Sequence, residues 1–116
     1  MRSRHPQALS ELQVTRALFR HIETRGVRGL VAFHCPNENT RNTGQGLMRG
    51  VSDVVLLCAG TFYALELKVG SRTPTAEQLA FIDAVNAAGG YACWCTGLDA
   101  AIRVLENWQL LRGRVS

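Results

Sequence analysis

An acid and a base stand two residues apart in Ala64-Leu65-Glu66-Leu67-Lys68, and a second acid, Asp53, precedes them in Gly50-Val51-Ser52-Asp53. Side chains alternate between the two faces of a strand. In an extended run from Thr61, Ala64, Glu66 and Lys68 therefore share one face, and Tyr63, Leu65 and Leu67 share the other. Neighbouring carboxylates repel each other unless a cation lies between them, and their oxygens suit Mg²⁺. An ammonium group beside such a pair can position or deprotonate an attacking water, or steady negative charge on a phosphate. The chemistry this set would perform is metal-assisted hydrolysis of a phosphodiester. Asp53 and Glu66 would be the metal ligands, with the backbone carbonyl of Leu67 as a third. Mg²⁺, or Mn²⁺ in its place, would be the cofactor. The plainer alternatives are a Glu–Lys pair on an open sheet face and an aspartate that caps a turn.

Two helical patterns aim further polar groups inward. Around the first, Val14, Leu18, Ile22, Phe19 and Leu12 span one apolar arc, and Glu11 falls near its centre. A carboxylate in a core-facing stripe is costly without a partner, and a metal or Lys68 would supply one. Its alternative place is the first helical turn, where a negative charge favours the helix dipole. Arg16, Arg20 and Gln13 fall on the opposite arc, toward solvent or a polyanion. In the second pattern Gln78 sits among Phe81, Val85, Ile82 and Leu79. Its amide would reach an interior polar site, or it would close a capping box with Thr75 three residues earlier.

These residues need a scaffold. Gln7 to Thr24 reads as a helix closed by Gly26 and Gly29, and Leu30 to Cys35 as a strand. Residues 36–50 form a polar loop, long for a small domain. Val51 to Cys58 and Thr61 to Val69 are strands joined by a tight turn at Ala59-Gly60, which sets Asp53 roughly opposite Glu66. Thr75 to Ala88 is a helix, Tyr91 to Thr96 a strand and Asp99 to Trp108 a helix. Gln109 to Arg112 is left as a short fifth strand or a tail. The order α-β-β-β-α-β-α predicts an α/β fold, a mixed four-stranded sheet flanked by helices, in one domain over residues 1–116.

Twelve of the thirteen basic residues are arginines, and Lys68 is the only lysine. Arginine grips phosphate with a two-pronged fork, so the surplus of +4 suits a nucleic-acid backbone. A genome that favours arginine codons is the alternative source. Cys35, Cys58, Cys93 and Cys95 lack zinc-site spacing and read as reduced core thiols. No apolar run is long enough for a membrane span, and no apolar segment follows the basic start, which points to a soluble cytoplasmic protein.

Taken in order, these segments resemble the VRR-NUC branch of the PD-(D/E)xK nucleases. The resemblance rests on helix-borne Glu11, Asn37-Glu38 after a strand, Ser52-Asp53 leading into Val54-Val55-Leu56-Leu57, Glu66-Leu67-Lys68, Gln78, and Ala88-Gly89-Gly90 before the next strand. Ser52 stands where the family has proline. The resemblance implies a restriction-endonuclease-like fold and an Mg²⁺-dependent endodeoxyribonuclease. Glu11, Asp53, Glu66, Lys68 and Gln78 would be its catalytic or metal-binding positions. It further implies a stand-alone phage or bacterial type acting in the bacterial or infected-host cytoplasm, a homodimer that resolves four-way junctions. Trp94, Trp108 and Phe62 are candidates for the dimer contact, with core packing as the alternative. Arg16, Arg20, Asn37, Arg41, Arg49 and Arg72 are candidate DNA contacts. Flap, single-strand or nicking cleavage, and a non-cleaving DNA-binding module, are the competing expectations.

Overall fold

The computed structural model describes residues 9–36 and 48–113. The elements run α1 (Glu11–Arg25), β1 (Val31–His34), β2 (Val54–Cys58), β3 (Thr61–Lys68), α2 (Ala76–Ala87), β4 (Tyr91–Thr96) and α3 (Leu98–Asn107). This is the expected α/β order. The four strands lie side by side as β1-β2-β3-β4, the first two junctions antiparallel and the last parallel. Of the two readings of Gln109 to Arg112, a short strand or a tail, the structure shows a tail with a single bridge between Gly26 and Leu111, outside the sheet.

The β2–β3 hairpin sets the register on which the site depends. Ala59 and Gly60 take φ values of 51° and 80°, the left-handed pair that a tight two-residue hairpin turn requires. Cys58 then pairs with Thr61, and the ladder runs back to Val54 opposite Leu65. One further step brings Asp53 level with Glu66. Strand β2 begins at Val54 rather than at the expected Val51. The preceding segment is instead held against α2, where Gly50 has φ 76° and a Cβ would lie 2.3 Å from the Glu77 carbonyl oxygen.

The sheet divides the apolar residues into two layers. Val54, Leu56, Leu65 and Leu67 pack with Val14 and Leu18 of α1 and with Ala101, Ile102 and Leu105 of α3. On the other face Ala64 and Ala92 pack under Phe81 and Ile82 of α2. Within α1 the buried residues are Val14, Thr15, Ala17 and Leu18. Leu12, expected in the apolar arc, is exposed instead, because the first turn of α1 borders an open cleft. Trp108 packs against Tyr63 with the rings tilted by 42° and their centroids 5.3 Å apart, which fits core packing. Phe62 and Trp94 are exposed and do not. All four cysteines are free and half-buried rather than fully buried. Burial raises the Cys93 thiol and pushes that of Cys95 up to about 12, so both stay protonated and poorly nucleophilic near neutral pH. No helix among the described residues is long and apolar enough to cross a membrane.

Candidate active site

The site lies where β1 and β3 end and β2 begins, beside the first turn of α1. An open cleft of about 310 Å³ is lined there by Glu11 and Thr15 of α1, His34 of β1, Asp53, Lys68 and Arg72. Ser10 starts α1 by accepting the N–H of Gln13. The reciprocal bond, from the Ser10 N–H to Gln13 Oε1, completes a capping box. This cap places Glu11 at the first helical position. It sits in the dipole's favourable turn, and it reaches the sheet carboxylates.

Asp53 is buried and pinned from both sides. Its Oδ2 accepts the N–H of Leu67 at 2.8 Å, and its backbone carbonyl accepts the N–H of Cys35 at 2.8 Å. The contact shown at Leu67 therefore runs through its N–H. Beside Asp53, Glu66 is fully buried, and neither of its carboxylate oxygens has a hydrogen-bond partner. Lys68 Nζ stands 3.4 Å from Glu66 Oε2. At that separation the two side chains form an ion pair. Ser52, next to Asp53, is also buried with an unpartnered hydroxyl.

Burial chiefly, and then the charge of Asp53, push the Glu66 carboxyl up to about 8, against an opposing pull from Lys68. A buried acid beside a second acid, with no hydrogen bond to either of its oxygens, is costly to ionise unless positive charge lies close by. One oxygen each from Glu11, Asp53 and Glu66 lies within 4.8 Å of the others. Hard carboxylate oxygens at this spacing fit a divalent cation such as Mg²⁺.

The raised carboxyl has a measurable consequence for folding. Its folded value of about 8 lies above the ordinary 4.5, so the metal-free native chain keeps a proton that the unfolded chain releases. This group's contribution to stability is therefore full below pH 4.5 and lost as the pH climbs toward 8. The expected result is a melting temperature in EDTA that falls between pH 5.5 and 8, and a smaller fall in excess Mg²⁺, because cation binding requires the deprotonated acid. A metal-free melting temperature that rises over this range would contradict the assignment.

The remaining candidates divide. Arg72 NH1 lies 3.4 Å from Glu11 Oε2 and borders the cleft. Arg49 lies 3.6 Å from Glu77 Oε2. Arg16 and Arg20 are exposed along α1. Asn37 and Arg41, and Glu38 between them, lie outside the described residues. Gln78 is buried, but its Oε1 accepts the Thr75 N–H at 2.9 Å while its own N–H donates to Thr75 Oγ1 at 3.1 Å. Its carbonyl is thus committed to capping α2, and these bonds tie it to Thr75 rather than to the carboxylates. His34 was not singled out in the sequence. Its signal was a polar residue closing the apolar run Val31-Ala32-Phe33.

A solved structure of a VRR_NUC domain protein superposes on this architecture with a TM-score of 0.74. The match covers 91% of this chain and 93% of that one, at 18% sequence identity. The chain has a VRR_NUC fold. No protein-family model matches the sequence, and no curated protein matches it significantly. At this identity the likeness is carried by backbone architecture. The VRR_NUC fold here thus emerges from a hairpin register, a crossover helix and a mixed sheet, with three acids and one lysine gathered at the strand ends.

Proposed function

We propose that the chain is a divalent-metal-dependent DNA endonuclease of the VRR-NUC type. The observation that carries this reading is the buried Glu66 carboxylate, without a hydrogen bond to either oxygen, clustered with Asp53 and Glu11 and flanked by the only lysine in the chain. A module that only bound DNA would gain nothing from burying an acid at that cost.

Glu11, Asp53 and Glu66 would hold the cation, with the Leu67 carbonyl as the further proposed ligand. The cation supplies charge neutralisation at the scissile phosphate and lowers the pKa of water. Lys68, held in place by its buried surroundings, positions the attacking water and stabilises the charge that grows on the phosphate. The Leu67 N–H fixes which way the Asp53 carboxylate points. Arg72, exposed at the rim, meets the DNA backbone, as do Arg16, Arg20 and Arg49 and, beyond the described residues, Asn37 and Arg41. Gln78 is proposed to contribute by fixing the start of α2 and, through its amide, to orient groups at the site.

The preferred substrate is proposed to be branched DNA, a four-way junction resolved by a homodimer. Two copies related by a two-fold axis present two sites to a two-fold-symmetric junction. Cleavage of flaps, single strands or one duplex strand is the competing outcome. The test uses labelled junction, flap, duplex and single-stranded DNA with Mg²⁺ or Mn²⁺, and with EDTA. Metal-dependent cutting of at least one substrate is expected, and paired symmetric nicks confined to the junction would select the resolvase. Failure of the wild type to cut any of the four sinks the nuclease reading.

A further inference from the structure

The cleft holds three nitrogen-bearing side chains, and two are restrained by acids of the site. Lys68 Nζ lies 3.4 Å from Glu66, and Arg72 NH1 lies 3.4 Å from Glu11. His34 is the third. It is exposed, and among the described residues its imidazole has neither a hydrogen-bond nor an ion-pair partner. It also stands outside the group of three acids that would hold a cation.

Its backbone leaves it little freedom to drift from the site. His34 closes β1 opposite Val54, and the next residue, Cys35, donates its N–H to the Asp53 carbonyl at 2.8 Å. The His34 backbone is thus held one ladder step from Asp53, and its side chain lines the same cleft as that acid. Three carboxylates repel a phosphate, and a divalent cation with Lys68 and Arg72 offsets them with only a small positive surplus. An N–H donor with no internal acceptor adds attraction for a phosphate oxygen without the cost of breaking an existing pair.

We propose that His34 is a DNA-contacting residue of the cleft, donating an imidazole N–H to a non-bridging oxygen of a backbone phosphate seated beside the three carboxylates. This rests on the nuclease reading above. It assigns His34 to substrate binding, apart from metal binding and from the bond-breaking step.

The test compares wild type, His34→Ala and His34→Gln on whichever of the four DNAs the wild type cuts best. Steady-state kinetics are read alongside metal-titrated melting curves without DNA. One hydrogen bond to a charged group is worth about 10- to 100-fold in binding. His34→Ala is therefore expected to raise KM by that factor with kcat nearly unchanged. His34→Gln, which keeps an N–H donor, should recover most of the loss. The Mg²⁺ concentration that half-stabilises the protein should be the same in all three. A shift of that concentration in His34→Ala would make His34 a metal ligand, and a fall in kcat at constant KM would make it a proton donor. Either result overturns the inference, as does kinetics identical to wild type. A wild type that cuts DNA while His34→Ala matches it overturns this inference alone. A wild type that cuts none of the DNAs overturns the nuclease reading as well.

Discussion

Glu66→Gln is expected to abolish cleavage while leaving the metal-free protein as stable as wild type, or more stable, at pH 8. Glu66 is fully buried and its oxygens have no hydrogen-bond partner. Its carboxyl is held up to about 8 by burial and by Asp53. Near pH 8 a large fraction of the metal-free protein therefore carries a second negative charge beside Asp53 in the interior. Glutamine has nearly the same shape and no charge, so it removes both the desolvation cost and the repulsion, and Asp53, which lines the same cleft, remains as counter-charge for Lys68. Binding of a cation is lost with the charge. A catalytic metal is worth several kcal/mol at the transition state, or about 10³-fold in rate at the usual conversion. Single-turnover cleavage and melting curves with and without Mg²⁺ read the two effects separately. A Glu66→Gln protein that still cuts at the wild-type rate, or that Mg²⁺ stabilises as strongly as wild type, would remove Glu66 from the metal site.

Lys68→Met separates metal binding from chemistry. Methionine keeps much of the apolar stem, which matters because Lys68 is only 4% exposed. With the ammonium gone, the metal-free Glu66 carboxyl takes up a proton, and no ion is left buried without a partner. The fold should persist, and Mg²⁺ should still raise the melting temperature. The cleavage rate should fall by about 10²- to 10⁴-fold, the range typical of a group that moves or holds a proton in the transition state. Cleavage at the wild-type rate would show that Lys68 serves only to balance the charge of Glu66.

The part of this site that the sequence made legible is the part set by strand periodicity. A two-residue turn at Ala59-Gly60 fixes which residues face each other, and alternation then fixes which side each one points to. Asp53 level with Glu66, and Lys68 beside it, follow from counting along the chain, as the ladder bears out. Strand β4 runs over the expected Tyr91–Thr96 for the same reason. Helical periodicity was a weaker guide. It marks the face of a helix that turns inward but not what that face meets. Leu12 falls on the apolar arc of α1, yet α1 overhangs the cleft at that turn, and Leu12 is exposed. Gln78 fits an inward polar group and a cap equally well by spacing, and its hydrogen bonds to Thr75 show the cap. The start of β2 was misplaced because a contact distant in sequence, Gly50 against the Glu77 backbone, draws the chain out of the sheet. His34 escaped notice because an edge strand read for its core residues says little about the residue that closes it.

The hairpin also constrains how related chains can differ in length. Asp53 and Glu66 are thirteen positions apart and face each other across a two-residue turn. Adding one residue to each strand lengthens the finger, and only its tip changes sides. A single unpaired insertion in β3 between the turn and Glu66 would send Glu66 and Lys68 to the opposite face, into the layer of α1 and α3. With this turn retained, the gap between the two acids can grow or shrink by two residues at a time, so it stays odd. A search for distant relatives that allows odd gaps and rejects even ones would recognise the site by its parity where residue identity has faded to 18%.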